Sequence, residues 1–273
     1  MVVPRRSRLT FAEKIELSEI QMEYKLITSS KGNIATAIHY PSTETDKLAI
    51  LCPGYLDTKD YAHLVKLSDA LAECGYTAVR FDPTGTWESG GDISNYNATQ
   101  SLSDVRTILE HMILEGNYKH ILLGGHSLGG HIAMQYASQD QRISVVLALM
   151  SPYSLRRPLY KDGIEKWENR GYRTSKRQIP GRSEKKEFRV PYSNAEDRLK
   201  YNVTDSIRHF CGLLILIGGE LDDRIFMEDL KLIYDNANEP KKLIIIKGIV
   251  HNYRHNDRDI DIVNQNILAQ LPS

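Results

Sequence analysis

Gly124-Gly125-His126-Ser127-Leu128-Gly129-Gly130 lies between a short apolar run, His120 to Leu123, and a stretch with helical apolar spacing, Leu128 to Ala137. A strand that passes into a helix through a serine flanked by glycines is a junction typical of a parallel α/β layer. Working outward, Ile143 to Met150 reads as the next strand. Upstream come the strand Tyr76 to Phe81 and the helix Leu102 to Leu114. Before these, the strand Leu48 to Cys52 precedes a helix, Tyr61 to Cys74, that presents Leu64, Leu67 and Leu71 on one face and stops at Gly75. Met22 to Thr28 and Ile34 to Tyr40 flank the turn-like Ser29 to Asn33 and read as an antiparallel hairpin. Past the middle, Leu213 to Ile217 and Leu243 to Ile246 read as buried strands, with helices expected over Met227 to Asn236 and Ile260 to Leu271. Strands separated by helices predict an α/β fold: a mostly parallel central sheet with helices on both faces.

One stretch breaks this rhythm. Residues 151–207 show no strand pattern and contain Pro152, Pro158, Gly163, Pro180, Gly181 and Pro191. A structureless loop of that length does not suit a compact domain, so the expectation is an inserted cap of short helices and irregular chain within a single domain spanning residues 1–273. Between Ser154 and Lys200 there are 14 Lys and Arg against 7 Asp and Glu, whereas the whole chain has 35 of each sign. That local excess reads first as a solvated face, and second as a preference for anionic substrates. The neutral overall balance gives no indication of a nucleic-acid partner. The apolar runs are too short to span a bilayer, and Phe11 to Glu19 lacks the apolar core of a signal peptide. Cys52, Cys74 and Cys211 are odd in number and widely spaced, which suggests neither a disulfide framework nor a zinc site and favours a reducing cytoplasm. Nothing in the chain reports its oligomeric state.

A serine at a sharp strand-to-helix turn needs small residues two before and two after it, which Gly125 and Gly129 supply. The turn lifts the hydroxyl above the carboxyl ends of the strands and aims a helix N-terminus at it. A neutral serine is a poor nucleophile and requires an imidazole base oriented by a carboxylate. His251 follows the turn Gly248-Ile249-Val250 after the late strand and is preferred to His255, which stands among Arg254, Asn256, Asp257 and Arg258 in a run that reads as solvated. Gly218-Gly219-Glu220-Leu221-Asp222-Asp223 offers three carboxylates after the preceding strand. Asp222 is chosen by its spacing from Gly219, with Glu220 and Asp223 as rivals. An oxyanion would be met by the backbone N–H groups of Leu128, directly after the serine, and of Tyr55 in Pro53-Gly54-Tyr55. The alternative for each residue taken singly is structural: a helix cap at Ser127, a tight turn at Gly54.

With these residues the chain resembles the α/β-hydrolase superfamily, in its small esterase, acyl-hydrolase and serine-aminopeptidase-like branch, from about Met22 to Leu271. Asp82 to Gly91 also looks like a conserved-type turn of that family, in which Asp, Gly and Ser stabilise a loop. Pro53 stands where the family usually has His, and Trp87 where a second glycine is common, implying a bulky side chain near the site entrance. The resemblance implies hydrolysis of a small-molecule carboxylic ester through an acyl-enzyme on Ser127, with no metal or organic cofactor. Thioesters, small amides or peptides, C–C hydrolysis and perhydrolysis are alternatives on the same residues, and a non-catalytic binding protein of the same fold is an alternative of another class. Tyr153, Tyr160, Trp167, Tyr172, Phe188 and Tyr192 are expected to form the cap's own small core or to line a pocket.

Overall fold

Strand alternation organises the core. In the strand Lys47–Cys52 (β3), Leu48, Ile50 and Cys52 enter one apolar cluster while Ala49 and Leu51 enter a second on the opposite face. The same division recurs in Ile143–Leu149 (β6), where Val146 and Ala148 face one way and Val145, Leu147 and Leu149 the other. Such strands are buried on both faces, so they read as continuous apolar runs. The computed structural model describes residues 20–156 and 163–272. Met1 to Glu19, Pro158 and Tyr160, discussed above, lie outside the described residues.

The remaining sheet strands are Gln21–Ser29 (β1), Gly32–Tyr40 (β2), Thr77–Phe81 (β4), His120–His126 (β5), Leu213–Gly219 (β9) and Lys241–Ile246 (β10). They run in the order β1-β2-β4-β3-β5-β6-β9-β10. The β1–β2 and β2–β4 pairs are antiparallel and every other pair is parallel. One face is covered by Ala98–Glu115 (α2), Leu128–Ala137 (α3) and a helix at Met227–Asn236. The other is covered by Ala62–Glu73 (α1) and a helix at Asp257–Leu268. This is the α/β-hydrolase architecture expected from the sequence. Among the described residues no helix is long and apolar enough to cross a membrane.

Helix α3 lies directly after the serine and is buried along its whole length. Gly129 and Gly130 weaken it intrinsically by about 1 kcal/mol each relative to alanine, and packing overrides that cost. A Cβ on Gly129 would lie 2.0 Å from the Cys52 carbonyl oxygen, and one on Gly130 1.9 Å from Ser151 Oγ. The glycines are there because the helix is pressed against the end of β3 and the loop after β6.

The segment between β6 and β9 corrects the expectation of a strand-free insertion. Ile164–Arg170, Ser193–Arg198 and Val203–Ser206 are short helices, but Tyr172–Gln178 (β7) and Lys185–Pro191 (β8) form an antiparallel hairpin with full register. Its strands carry mostly polar and charged residues, so the period-2 signal is nearly empty of apolar positions. Only Phe188 and Val190 are buried on β8, where they join Trp167 and Ile164. The Trp167 indole N–H donates to the Val190 carbonyl (3.0 Å), and these residues continue the apolar cluster of one sheet face beneath the hairpin.

Two predictions follow from this packing. Gly129→Ala should cost about 3 kcal/mol or more, because the clash is with backbone that cannot swing aside; a chemical-denaturation midpoint equal to wild type would show that the Cys52 loop can retreat. The second concerns His131, fully buried on α3, with Nδ1 donating to the Pro152 carbonyl (3.0 Å). Burial lowers its pKa from 6.5 to about 4, so between those values the unfolded chain binds a proton that the folded chain refuses. Stability is therefore present above 6.5 and falls as pH drops toward 4, by about 2 kcal/mol at pH 5 from this group. In His131→Asn the loss of stability between pH 7 and pH 5, measured by urea titration, should shrink by that amount.

Candidate active site

Ser127 occupies the turn between β5 and α3 with φ 55° and ψ −117°. That left-handed conformation costs a non-glycine residue about 1–3 kcal/mol and persists only where its surroundings enforce it. Here the Ser127 N–H donates to the Leu149 carbonyl (2.8 Å), and its own carbonyl accepts from His131 N–H (3.2 Å). A Cβ on Gly125 would meet the Cys52 carbonyl oxygen at 2.4 Å and Gly129 backbone at 2.6 Å. The turn is thus closed on itself and seated on the end of β3.

Two loops complete the constellation. His251 Nε2 lies 3.1 Å from Ser127 Oγ, and His251 Nδ1 lies 2.9 Å from Asp222 Oδ2. The His251 and Asp222 side chains are only 6% and 2% exposed, so their interaction is shielded from water. Asp222 Oδ1 accepts from the backbone N–H groups of Arg224 (2.8 Å) and Ile225 (2.9 Å), which fixes the carboxylate and turns Oδ2 toward the imidazole. An ionised carboxylate only accepts, so the proton belongs on Nδ1 and Nε2 is left to accept from the serine hydroxyl. Glu220 is employed elsewhere, accepting from Gly248 N–H (3.0 Å), and Asp223 is exposed. His255 is exposed in the turn Tyr253–His255. The structure therefore brings together Ser127, His251 and Asp222, and leaves the three rivals outside.

The loop after β3 lies beside the serine turn. Leu56 N–H donates to Tyr96 Oη (2.8 Å) and Asp57 N–H to the Gly54 carbonyl (3.1 Å), while the Tyr55 N–H has no partner among the described residues. Leu128 N–H belongs to the first turn of α3, where no intrahelical acceptor exists. Both N–H groups are thus free of a protein acceptor among the described residues. The loop is held from below: Asp82 accepts from Thr58 Oγ1 (2.9 Å), Lys59 N–H (2.8 Å) and Glu88 N–H (3.2 Å). Trp87 adopts φ 44°, which accounts for the glycine common at that position, and its indole N–H donates to the Leu56 carbonyl (3.1 Å). Its ring meets Phe188 of the hairpin edge-on at 5.3 Å.

One part of the sequence reading is corrected here. Arg254 is not solvated: its guanidinium holds both oxygens of Asp57, which is fully buried, and so ties the His251 loop to the loop after β3. The signal was hidden because the partners stand far apart in the chain. Behind His251, the rings of His126 (4.8 Å away), His63 and Tyr253 form a buried wall. Burial lowers the His63 pKa to about 3 and holds that of His126 well below its ordinary value, so both rings are neutral. Asp57, His63 and His126 place one ligand atom each within 4.8 Å of one another. A metal ion there would have to displace Arg254 from Asp57, and the guanidinium opposes a second cation.

Comparison with known proteins bears on the family and the fold. The family model for serine aminopeptidase, S33, matches residues 43–211, more than half of the chain. A curated relative, the polyketide transferase GrgF of Penicillium sp., is 29% identical over 114 residues, a match that spans 40% of this chain and 38% of that protein's length. The crystal structure of α/β hydrolase GrgF from Penicillium sp. sh18 superposes with a TM-score of 0.75 at 19% identity, over 91% of this chain and 97% of that one. Est1E from Butyrivibrio proteoclasticus, solved with ferulic acid bound, superposes with a TM-score of 0.71 at 17% identity, over 90% and 98%. At such identities the structural likeness concerns the fold, while the family match reaches from before β3 through the serine turn and the hairpin. The chain belongs to the serine aminopeptidase S33 family of α/β hydrolases.

Proposed function

We propose that the protein is a serine hydrolase that cleaves carboxylic esters through an acyl-enzyme on Ser127. The observation that carries this reading is the continuous hydrogen-bonded series Asp222, His251, Ser127, at 2.9 and 3.1 Å, ending on a serine held in a strained turn. In the first half-reaction Ser127 Oγ attacks the ester carbonyl carbon as its proton passes to His251 Nε2. Asp222 stabilises the resulting imidazolium without taking the proton. The negative charge that gathers on the carbonyl oxygen is met by the N–H groups of Tyr55 and Leu128, which need no reorganisation to receive it. The C–O bond then breaks and the alcohol leaves with the proton from His251. In the second half, water gives a proton to His251 Nε2 and adds to the acyl carbon, and the acid departs as Ser127 regains its hydrogen.

Within a single domain, the described residues of the insertion, 151–156 and 163–207, form the cap over this centre, supplying walls for the acyl and alcohol portions of a small-molecule ester. Est1E, solved with the carboxylic acid ferulic acid bound, supports an acyl substrate by analogy of fold. Cys52, Cys74 and Cys211 are all free thiols, which accords with a reducing compartment.

On p-nitrophenyl butyrate, Ser127→Ala should lower kcat/KM by about 10^4-fold or more, and Asp222→Asn by about 10^3- to 10^4-fold. Glu220→Gln and Asp223→Asn should stay within about threefold of wild type, because neither carboxylate meets His251. Wild-type turnover that survives Ser127→Ala would sink the assignment of the nucleophile. Failure of the folded wild type to react with a fluorophosphonate would move a binding role to the front.

A further inference from the structure

Among the described residues three Lys or Arg residues are buried: Lys59, Arg80 and Arg198. Lys59 is paired with Asp60, Asp82 and Glu88, and Arg80 with Asp60. Arg198, 7% exposed at the end of the cap helix Ser193–Arg198, has no acidic partner among the described residues, and its Nε and Nη2 are buried without a hydrogen-bond acceptor. These two atoms form one edge of the guanidinium, the side-on fork whose parallel N–H groups match the two oxygens of a carboxylate. The cation lies over the Tyr55 ring at 4.3 Å from its centroid. An aromatic face recovers only part of what burying an unpaired charge costs.

A second arginine converges on the same residue. Arg177, on β7, stands 5.5 Å from the Tyr55 ring centroid and donates from Nη2 to the Tyr55 carbonyl (3.0 Å), while its Nε is buried without a partner. Tyr55 Oη is likewise buried and unpartnered. Unpartnered buried donors of two cap elements, on Arg177 and Arg198, thus gather about Tyr55 in the loop after β3, whose own hydroxyl is unpartnered too. The excess of positive charge in the cap is therefore not confined to a solvated face.

We infer that this cluster receives a free carboxylate on the substrate, so that the preferred ester carries a second, ionised acid group held by Arg198 and Arg177. The inference rests on the ester-hydrolase reading for its reaction, but not for its binding.

Matched ester pairs test it. On the acyl side, the mono-p-nitrophenyl ester of glutaric acid is compared with p-nitrophenyl valerate. On the alcohol side, the acetate of 4-hydroxybenzoate is compared with that of 4-hydroxybenzamide. Wild type should favour the charged member of one pair at least tenfold in kcat/KM, which also tells on which side the acid lies. Arg198→Gln should reduce that ratio at least tenfold. Arg189→Gln, on the exposed side of the hairpin, should leave it unchanged. Removal of an unpaired buried charge should leave the melting temperature of Arg198→Gln no lower than that of wild type. A wild-type ratio at or below one for both pairs, or a preference that persists in the Arg177→Gln, Arg198→Gln double variant, overturns the inference. If no Ser127-dependent ester turnover is found at all, the hydrolase reading fails, and calorimetry of glutarate against glutaramide decides the anion site by itself. Glutarate binding tenfold tighter and losing that advantage in Arg198→Gln supports the site; equal or absent binding overturns it.

Discussion

Everything at the candidate site depends on a close approach of backbone to backbone, that of the Cys52 carbonyl to Gly125 and Gly129. Because those positions carry no Cβ, the turn at Ser127 seats directly on the end of β3, and the loop that follows Cys52 is brought to the serine. The strained dihedrals of Ser127 are enforced by that contact together with its hydrogen bonds to Leu149 and His131. Close-packed interiors transmit such constraints without slack, and the fully buried α3 behind the turn leaves no direction for relaxation.

Around this rigid centre the protein distributes buried charge in two ways. Beneath the loop after β3, Asp82, Lys59, Asp60 and Arg80 satisfy one another, and Asp57 is matched by Arg254. These pairs hold loops in register and offset much of their desolvation cost, although Arg254 Nε is left without an acceptor. Beside Tyr55 the partnering is left open. The contrast separates groups that support the site from groups that await a ligand.

Much of the fold was legible in the sequence because apolar period and apolar run length are direct records of burial. Helices α3 and Met227–Asn236 fall where their spacing puts them. The apolar stripes of α2 and of the last helix begin four and three residues inside the helices, because Asn97 and Asn256 cap them ahead of the first apolar position. The cap hairpin escaped detection since its strands are written almost wholly in charged and polar residues. At the site, Ser127, Asp222 and His251 follow from chain order and from glycine placement. Asp57 with Arg254, and Arg177 with Arg198, could not be found that way. A charge in a run of charges carries no mark of which way it points, and only the tertiary fold decides it.

The pairing of Asp57 with Arg254 joins residues 197 positions apart, and the contact between Ser127 and His251 joins residues 124 apart. Closing such long loops is the slow part of folding, since their entropy is lost before the contact repays it. During synthesis the serine turn and the loop after β3 can form while the chain is still growing. The imidazole and the arginine that locks its loop emerge only near the last helix, so every shorter nascent chain carries the serine without its base. Assembly order alone withholds the imidazole from the serine until the His251 loop has been made.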